Sequence, residues 1–175
     1  MSGEFTAFPK IPRLFRDCTI TEKIDGTNAA VVIGDDGSIR AQSRKRFITP
    51  EDDNYGFAAW VRDNEDELRA LGPGVHFGEW WGQGIQRRYG LNEKRFSLFN
   101  IERWGQERPN CCDVVPVLYS GTFDLHHVQW CLDDLKFKGS CAAPGFMDPE
   151  GVMIYHHAAR LYFKAPFRDE AKGAA

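Results

Sequence analysis

The chain contains 175 residues, which is enough for one domain with a substantial hydrophobic core. Hydrophobic residues make up 42% of it and aromatic residues 13%, a composition that excludes a disordered chain. The formal net charge of −3 excludes a basic surface that covers the whole molecule, so any surface that binds phosphate groups must be local.

The sequence contains no apolar run that approaches the ~20 residues needed to cross a bilayer. Residues 1–4 lack the basic start of a secretory signal peptide, so we expect no membrane association and a cytoplasmic location. The five cysteines are odd in number and lack the paired spacing of zinc ligands, which favours free thiols in a reducing compartment. We interpret the histidines, which also lack metal-ligand spacing, as structural: His76, His126, His127, His156 and His157.

The first predicted element is a hairpin. Residues 29–33 form an apolar run typical of a strand, and the returning strand, residues 38–43, follows a turn rich in Gly and Asp. A helix is predicted to begin at Thr49, because Thr is a favoured N-cap and a proline follows it in the first turn. The Gly-Pro-Gly sequence of residues 72–74 is expected to end this helix.

The rest of the chain alternates between strand and helix patterns. Further strands are predicted over 75–80, 96–101, 151–155 and 160–164. A second helix is predicted over residues 124–138. Its expected buried face consists of Leu125, Val128, Leu132 and Leu135. Strands in hairpins with helices inserted between them indicate an α+β domain of antiparallel sheets flanked by helices.

Lys23 is the most distinctive candidate for chemistry, because it lies in the sequence Glu-Lys-Ile-Asp-Gly-Thr-Asn just before the first predicted hairpin. An amine nucleophile must lose a proton before it attacks, which desolvation, a nearby cation or a metal favours. Asp25 could hold the lysine by a hydrogen bond, and Gly26 would let a ligand approach the backbone closely. A surface lysine before a hairpin explains this sequence equally well.

Three other charged residues lie within or at the end of apolar segments. They are Glu79, Glu150 and Lys164. Burying an unpaired charge is costly, so such positions need a partner, a metal or a ligand. Two basic segments, residues 44–46 and 87–88, could contact phosphates or form solvated charged loops.

The order and spacing of these pieces resemble the covalent nucleotidyltransferases, the superfamily of ATP-dependent RNA and DNA ligases and mRNA capping enzymes. Motif I corresponds to residues 23–26, motif III to 77–79 and motif IIIa to 96–101. Motif IV corresponds to residues 150–153, and motif V ends at Lys164. An arginine motif matches Ser43 and Arg44. Glu22 before motif I and Thr27-Asn28 after it are most similar to the RNA ligase branch. The resemblance implies the nucleotidyltransferase (adenylyltransferase) fold of ligases.

The resemblance also implies how the chain would handle the phosphates of a nucleotide. Lys23 would attack the α-phosphorus of ATP, expel pyrophosphate and hold AMP covalently. Lys164 would contact the α-phosphate, as a second catalytic residue. Arg44 would contact the nucleotide or the end that is being sealed. Glu150 would position a divalent metal, Mg²⁺ or Mn²⁺, which offsets charge on a phosphoryl group.

The same resemblance assigns the nucleoside contacts. Glu79 would bind a ribose hydroxyl, and Phe99 would stack on the adenine, with Phe96 as the alternative. Trp80 and Trp81 could line this site or pack in the core. Three residues around motif I complete the predicted cofactor site, namely Glu22, Asp25 and Gly26.

Three features depart from the family pattern. Motif V commonly has two lysines, two residues apart, but Tyr162 occupies the first position here, and Arg160 could supply the missing contact. Motif IIIa commonly has an aspartate where this chain has Asn100. Residues 165–175 leave no room for an OB domain, so we expect a single minimal nucleotidyltransferase domain over residues 1–175.

The sequence therefore predicts a monomeric, ATP-dependent RNA ligase of bacterial or phage type that acts on RNA ends or nicked duplexes. A partner protein could supply a missing C-terminal domain. Two alternatives stay open. One is a DNA nick ligase or a guanylyltransferase, and the other is an RNA-end binding module that adenylylates without sealing.

Overall fold

The computed structural model describes residues 5–167, so residues 1–4 and most of the segment after Lys164 lie outside the described part. Its strands form two sheets. The first sheet has the order β10-β9-β1-β8, and all of its neighbouring strands are antiparallel. Its strands are β1 (Asp17–Lys23), β8 (Val117–Thr122), β9 (Gly151–His156) and β10 (Leu161–Pro166).

The second sheet has the order β4-β3-β2-β5-β6-β7 within residues 5–167. Its neighbours are antiparallel apart from β6 and β7, which are parallel. Its strands are β2 (Thr27–Ile33), β3 (Ile39–Ser43), β4 (Phe47–Ile48), β5 (Gly74–Gly82), β6 (Lys94–Leu98) and β7 (Asp113–Val114). The predicted α+β architecture of antiparallel sheets is thus confirmed.

The helices of the described chain are short apart from one. They are α1 (Phe57–Asp63), α2 (Glu65–Leu68), α3 (Ile101–Trp104) and α4 (Leu125–Lys138), with a 3₁₀ turn at Arg69–Leu71. Within residues 5–167 no helix has the length and apolar character needed to cross a membrane.

The predicted start of the first helix is wrong. Thr49 forms an isolated bridge with Asp52 in a turn, and α1 begins later, at Phe57. The reason is the Asp53 carboxylate, which accepts hydrogen bonds from the backbone N–H groups of Ala58 (2.8 Å) and Ala59 (3.0 Å). These bonds satisfy amide groups that the first turn of a helix leaves without partners, so the helix begins there.

The end of one predicted strand also differs from the structure. The strand predicted over 96–101 ends at Leu98, and Ile101 begins α3. The side chain of Asn100 accepts a hydrogen bond from the N–H of Arg103 (3.1 Å) and so caps this short helix. Asparagine and aspartate are both favoured as helix N-caps. Asn100 can therefore cap α3 as the aspartate of the family pattern would.

The alternation of side chains in β1 decides which residues face the core. Cys18 and Ile20 are fully buried and pack with α4, because successive residues of a strand point to opposite sides of the sheet. Thr19, Thr21 and Lys23 therefore point to the other side. Lys23 is the last residue of the strand, which gives it a rigid support.

Each sheet has its own hydrophobic core, and a third cluster lies where the chain passes between them. Residues 24–26 connect β1 to β2, and residues 115–116 connect β7 to β8, so both segments cross from one sheet to the other. Ile24 and Val115, one from each crossing, pack together in the third cluster with Trp81, Tyr89 and Ala143.

Helix α4 covers the first sheet with part of its predicted face. Val128 and Leu135 are buried as expected, and Leu132 is half-buried, but Leu125 is 72% exposed. Leu125 is the first residue of α4, and Cys131 takes a place in the buried face instead.

We predict that Leu135→Ala lowers the free energy of unfolding by about 2 to 5 kcal/mol, because it leaves a cavity in the core beneath α4. Phe137→Ala is the matched control on the same helix, since Phe137 is 82% exposed, and it should change stability by less than about 0.5 kcal/mol. Urea denaturation of both variants measures the difference. Equal losses would contradict the described packing of α4.

Candidate active site

Residues from both sheets line a cleft of about 850 Å³. Lys23 and Lys164 reach it from the first sheet, and Glu79 reaches it from β5 of the second. Predicted site residues that line this cleft are Glu22, Lys23, Arg44, Glu79, Phe99 and Lys164. The structure thus brings together residues that are far apart in the sequence.

Lys23 and Glu150 form an ion pair at the end of β1. The Lys23 Nζ atom donates to Glu150 Oε2 at 2.6 Å, and the two side chains are 22% and 19% exposed. The register of β1 against β9 explains this contact, because Lys23 lies opposite Gly151, the residue after Glu150. Strand pairing therefore places a carboxylate against the candidate nucleophile.

Asp25 has a different partner from the one expected. Lys23 pairs with Glu150, whereas the Asp25 carboxylate accepts a hydrogen bond from Arg87 Nε at 3.0 Å. Arg87 also donates through Nη1 to the Asp148 side chain at 2.7 Å. Arg87 is thus not a solvated loop residue, since it links the segment after Lys23 to the segment before Glu150.

The fold itself requires glycine at position 26. A Cβ atom at this position would lie 2.4 Å from the carbonyl oxygen of Trp80 and 2.7 Å from the Cβ of Trp81. Such distances cannot occur without a shift of the backbone, so only glycine allows β5 to pass this closely. The N–H of Gly26 donates to Glu79 Oε1 at 3.1 Å.

Glu79 is a buried carboxylate on β5 that faces the cleft. Asn28 Nδ2 donates to its second oxygen at 3.1 Å, so each oxygen has a partner. Burial raises the pKa of Glu79 to about 7, because the charged form loses its hydration. The carboxylates of Glu150 and Asp25 raise this pKa further, whereas Lys23 and the Gly26 N–H oppose the shift.

We predict that Glu79 makes the free protein less stable as the pH rises. The unfolded chain releases this proton near pH 4.5 and the folded chain near pH 7, so the folded state binds more protons between these values. Between pH 5 and pH 8, Glu79→Gln should therefore gain roughly 2 kcal/mol in unfolding free energy relative to wild type.

Chemical denaturation at the two pH values tests this prediction. Glu107→Gln is the control for the loss of a glutamate carboxylate, since Glu107 is exposed. A pH-independent difference for Glu79→Gln would mean that the carboxylate titrates normally.

Glu22 is almost completely buried and holds a loop. Its carboxylate accepts hydrogen bonds from Ser140 Oγ (2.6 Å) and from the N–H groups of Cys141 (2.7 Å) and Ala142 (2.9 Å). Burial raises the pKa of Glu22, and these three hydrogen bonds oppose that shift. Both oxygens are occupied by the loop, so a contact between Glu22 and a nucleotide stays a prediction.

Only one of the two residues predicted to stack on the adenine lies in the cleft. Phe99 lines the cleft and is half-buried, whereas Phe96 is fully buried in the core of the second sheet against Phe57. Trp80 and Trp81 also lie in the core. Their indole N–H groups bind protein oxygens, the carbonyl of Tyr55 and the hydroxyl of Ser97.

Two further cationic side chains are exposed at the cleft. Arg44 directly follows β3, and Lys164 extends from β10 next to Met153 of β9. Arg160 lies in the turn between β9 and β10 with φ at 53° and is not part of the cleft wall. The structure therefore gives no support to the idea that Arg160 replaces the missing lysine.

The carboxylates near Lys23 suit a divalent metal that binds together with the phosphates of a nucleotide. Within residues 5–167 no cluster of three His, Cys, Asp or Glu side chains could hold a metal ion by itself. Mg²⁺ in phosphoryl-transfer sites commonly binds one or two carboxylates together with substrate phosphates and waters. The Glu150 carboxylate beside Lys23 fits this pattern.

Several histidines make hydrogen bonds within the fold, and the cysteines are unpaired thiols. His76 Nε2 lies 2.8 Å from the Gly72 carbonyl and His156 Nε2 lies 2.7 Å from the Leu14 carbonyl, as expected for structural residues. His157 lines the cleft and lies 2.9 Å from the hydroxyl of Thr19. All five cysteines are free thiols in the described chain, as predicted.

We predict that Arg87→Ala lowers the free energy of unfolding by on the order of 1 kcal/mol, because it removes the ion pairs that Arg87 makes with Asp25 and Asp148. Arg88→Ala, at the exposed neighbouring position, is the control and should have a smaller effect. Thermal and urea denaturation measure both variants. Identical effects would show that Arg87 does not join the two segments.

The comparison with known proteins defines the family. The RNA ligase family model matches residues 16–167, so the chain belongs to the RNA ligase family. This result confirms the resemblance found in the motifs. No curated protein sequence matches the chain.

Solved structures of Naegleria gruberi RNA ligase are similar in fold. A variant with ATP and manganese has a TM-score of 0.64 and 21% identity, covering 86% of this chain and 49% of that one. A variant without nucleotide has a TM-score of 0.65 and 21% identity, covering 87% and 50%. A variant with AMP and manganese has a TM-score of 0.64 and 19% identity, also covering 87% and 50%. The chain thus spans about half the length of these proteins.

Proposed function

We propose that this protein is an ATP-dependent RNA ligase whose nucleophile is Lys23. The observation that carries the proposal is the position of Lys23, which is paired with Glu150 and lines a cleft together with Glu79 and Phe99. A lysine on a rigid strand at a nucleotide-sized cleft is positioned to attack a phosphorus atom once it has lost its proton. Membership of the RNA ligase family supports the same reaction.

In the first step, the Lys23 amine attacks the α-phosphorus of ATP. A nitrogen–phosphorus bond forms, the bond to the bridging oxygen breaks, and pyrophosphate leaves. The amine must lose a proton to solvent before the attack, and a divalent cation held by Glu150 would favour the neutral amine. The ion pair also orients Nζ before the attack, so that part of the entropic cost of the reaction is met in advance.

The other residues of the cleft would bind the nucleotide. Arg44 and Lys164 are cations that offset charge on the phosphates. Glu79 would accept a hydrogen bond from a ribose hydroxyl, and Phe99 would stack on the adenine. Glu150 would hold Mg²⁺ or Mn²⁺, which supplies further charge compensation at the phosphates. Structures of the Naegleria protein contain ATP or AMP with manganese, in line with this assignment.

In the later steps, AMP would pass from Lys23 to the 5′-phosphate of an RNA end, and a 3′-hydroxyl would then displace AMP to seal the strand. The substrates would be RNA ends or nicked duplexes. We place the protein in the cytoplasm of a bacterium or in a phage-infected cell, and one nucleotidyltransferase domain would carry the chemistry.

We predict that wild-type protein gains the mass of one AMP on incubation with ATP and Mg²⁺, and that Lys23→Arg gains none. Arginine can keep the ion pair with Glu150, but its guanidinium stays protonated and does not attack. Intact-protein mass spectrometry measures the gain, after removal of any AMP carried through purification. Covalent AMP on Lys23→Arg would overturn the assignment of the nucleophile.

Controls and substrates complete this experiment. Lys136→Arg, an exposed change on α4, should gain AMP as wild type does. GTP in place of ATP distinguishes a guanylyltransferase, and nicked DNA in place of nicked RNA distinguishes a DNA ligase. Adenylylated protein that seals neither nick would identify a module that binds RNA ends.

A further inference from the structure

A row of aromatic side chains lies on the cleft face of the first sheet. Tyr155 on β9 and Tyr162 on β10 are opposite one another in the strand register, with ring centroids 4.6 Å apart. His157 is the first residue after β9, with its ring centroid 5.1 Å from that of Tyr155. All three residues line the cleft, and we call them the aromatic row.

The aromatic row is exposed but held in place. Tyr162 is 56% exposed and Tyr155 is half-buried, so neither ring is used to fill the core. Both stand on paired strands, and His157 is fixed by its contact with the hydroxyl of Thr19 at 2.9 Å. Large apolar rings kept rigid and open to solvent in a cleft are expected to have a ligand.

The row lies away from the groups proposed to bind ATP. Tyr155 is opposite Thr19, four residues along β1 from Lys23, a distance of about 13 Å at 3.3 Å per residue. Lys164 lies between them, opposite Met153. Glu79 and Phe99, by contrast, belong to the second sheet and the segment after β6. The aromatic row therefore extends the cleft beyond the reaction centre.

The chemistry of the row suits a nucleobase. Proteins that bind single-stranded nucleic acid commonly combine aromatic side chains, on which bases stack, with cations that contact the backbone. Here the rings of Tyr155 and Tyr162 lie beside Lys164, which supplies the cation. A tyrosine at the position where the family commonly has a lysine replaces a point charge with a ring face.

We propose that Tyr155 and Tyr162 form a stacking subsite for an unpaired base near the RNA end, with Lys164 at the adjoining phosphate. This inference rests on the proposed ligase function, because it assumes that the cleft receives RNA. It assigns Tyr162 a role that a lysine could not fill, since an ammonium group offers no face for stacking.

The test uses the full chain and a fluorescently labelled single-stranded RNA with a 5′-phosphate, in the absence of ATP. We expect Tyr162→Ala to weaken RNA binding about tenfold, measured by fluorescence anisotropy, because it removes the ring on which a base would stack. Tyr162→Phe should retain the affinity of the wild type, because it keeps the ring. Tyr162→Lys should bind less tightly than Tyr162→Phe.

The matched control is Phe163→Ala. Phe163 is 52% exposed on the same strand, but it is not part of the cleft wall, so its removal should leave RNA binding unchanged. Two outcomes would overturn the subsite. One is an equal loss for Phe163→Ala and Tyr162→Ala. The other is tighter binding by Tyr162→Lys than by Tyr162→Phe, since charge rather than stacking would then decide affinity.

A parallel titration with ATP separates this inference from the proposed function. If Tyr162→Ala weakens ATP binding as much as RNA binding, the row belongs to the ATP site and the subsite is wrong. RNA binding that depends on Tyr162, in a wild-type protein that never gains AMP, would support the subsite and contradict the ligase. If the protein gains AMP but binds RNA independently of Tyr162, the ligase is supported and the subsite is wrong.

Discussion

The pairing of β1 with β9 is the constraint on which the candidate site depends. It joins residues that are 127 positions apart and brings the Glu150 carboxylate to within 2.6 Å of Lys23. Backbone hydrogen bonds along the two strands fix this register, and a slip of one residue would turn Lys23 toward the core. The same register places Tyr155 and Met153 on the cleft wall. One strand pair thus determines both the reaction centre and the surface beside it.

The two buried carboxylates show how the site and the fold share residues. Glu22 and Glu79 are both placed where burial disfavours the charged form, and each is compensated by hydrogen bonds from the protein. Glu22 uses its bonds to hold the loop at residues 140–142, which is a structural task. Glu79 lines the cleft, where the proposed contact with the ribose requires a carboxylate. Its burial, which is unfavourable for the charged form, is therefore a consequence of that position. Functional groups commonly carry such a cost in stability.

Much of the fold was predictable from local patterns, because hairpins and helix α4 involve neighbours in the sequence. The contact between Lys23 and Glu150 was not predicted, since strand patterns do not specify which distant strands pair. Helix α1 was misplaced because Asp53 overrides the N-cap signal at Thr49. The link made by Arg87 was missed because charged loops are commonly solvated. Acidic residues beside motifs I and IV were the signal that could have indicated it.

The two crossings between the sheets have a mechanical consequence. Each sheet packs around its own core, whereas the crossings at Ile24 and Val115 meet in one small cluster. A change in cleft width would therefore act as a rotation about an axis near this cluster. Lys23 lies next to that axis, so its displacement would be small, while Tyr162 on the outer strand would move farther. A change in cleft width would therefore alter the position of β10 more than the position of Lys23.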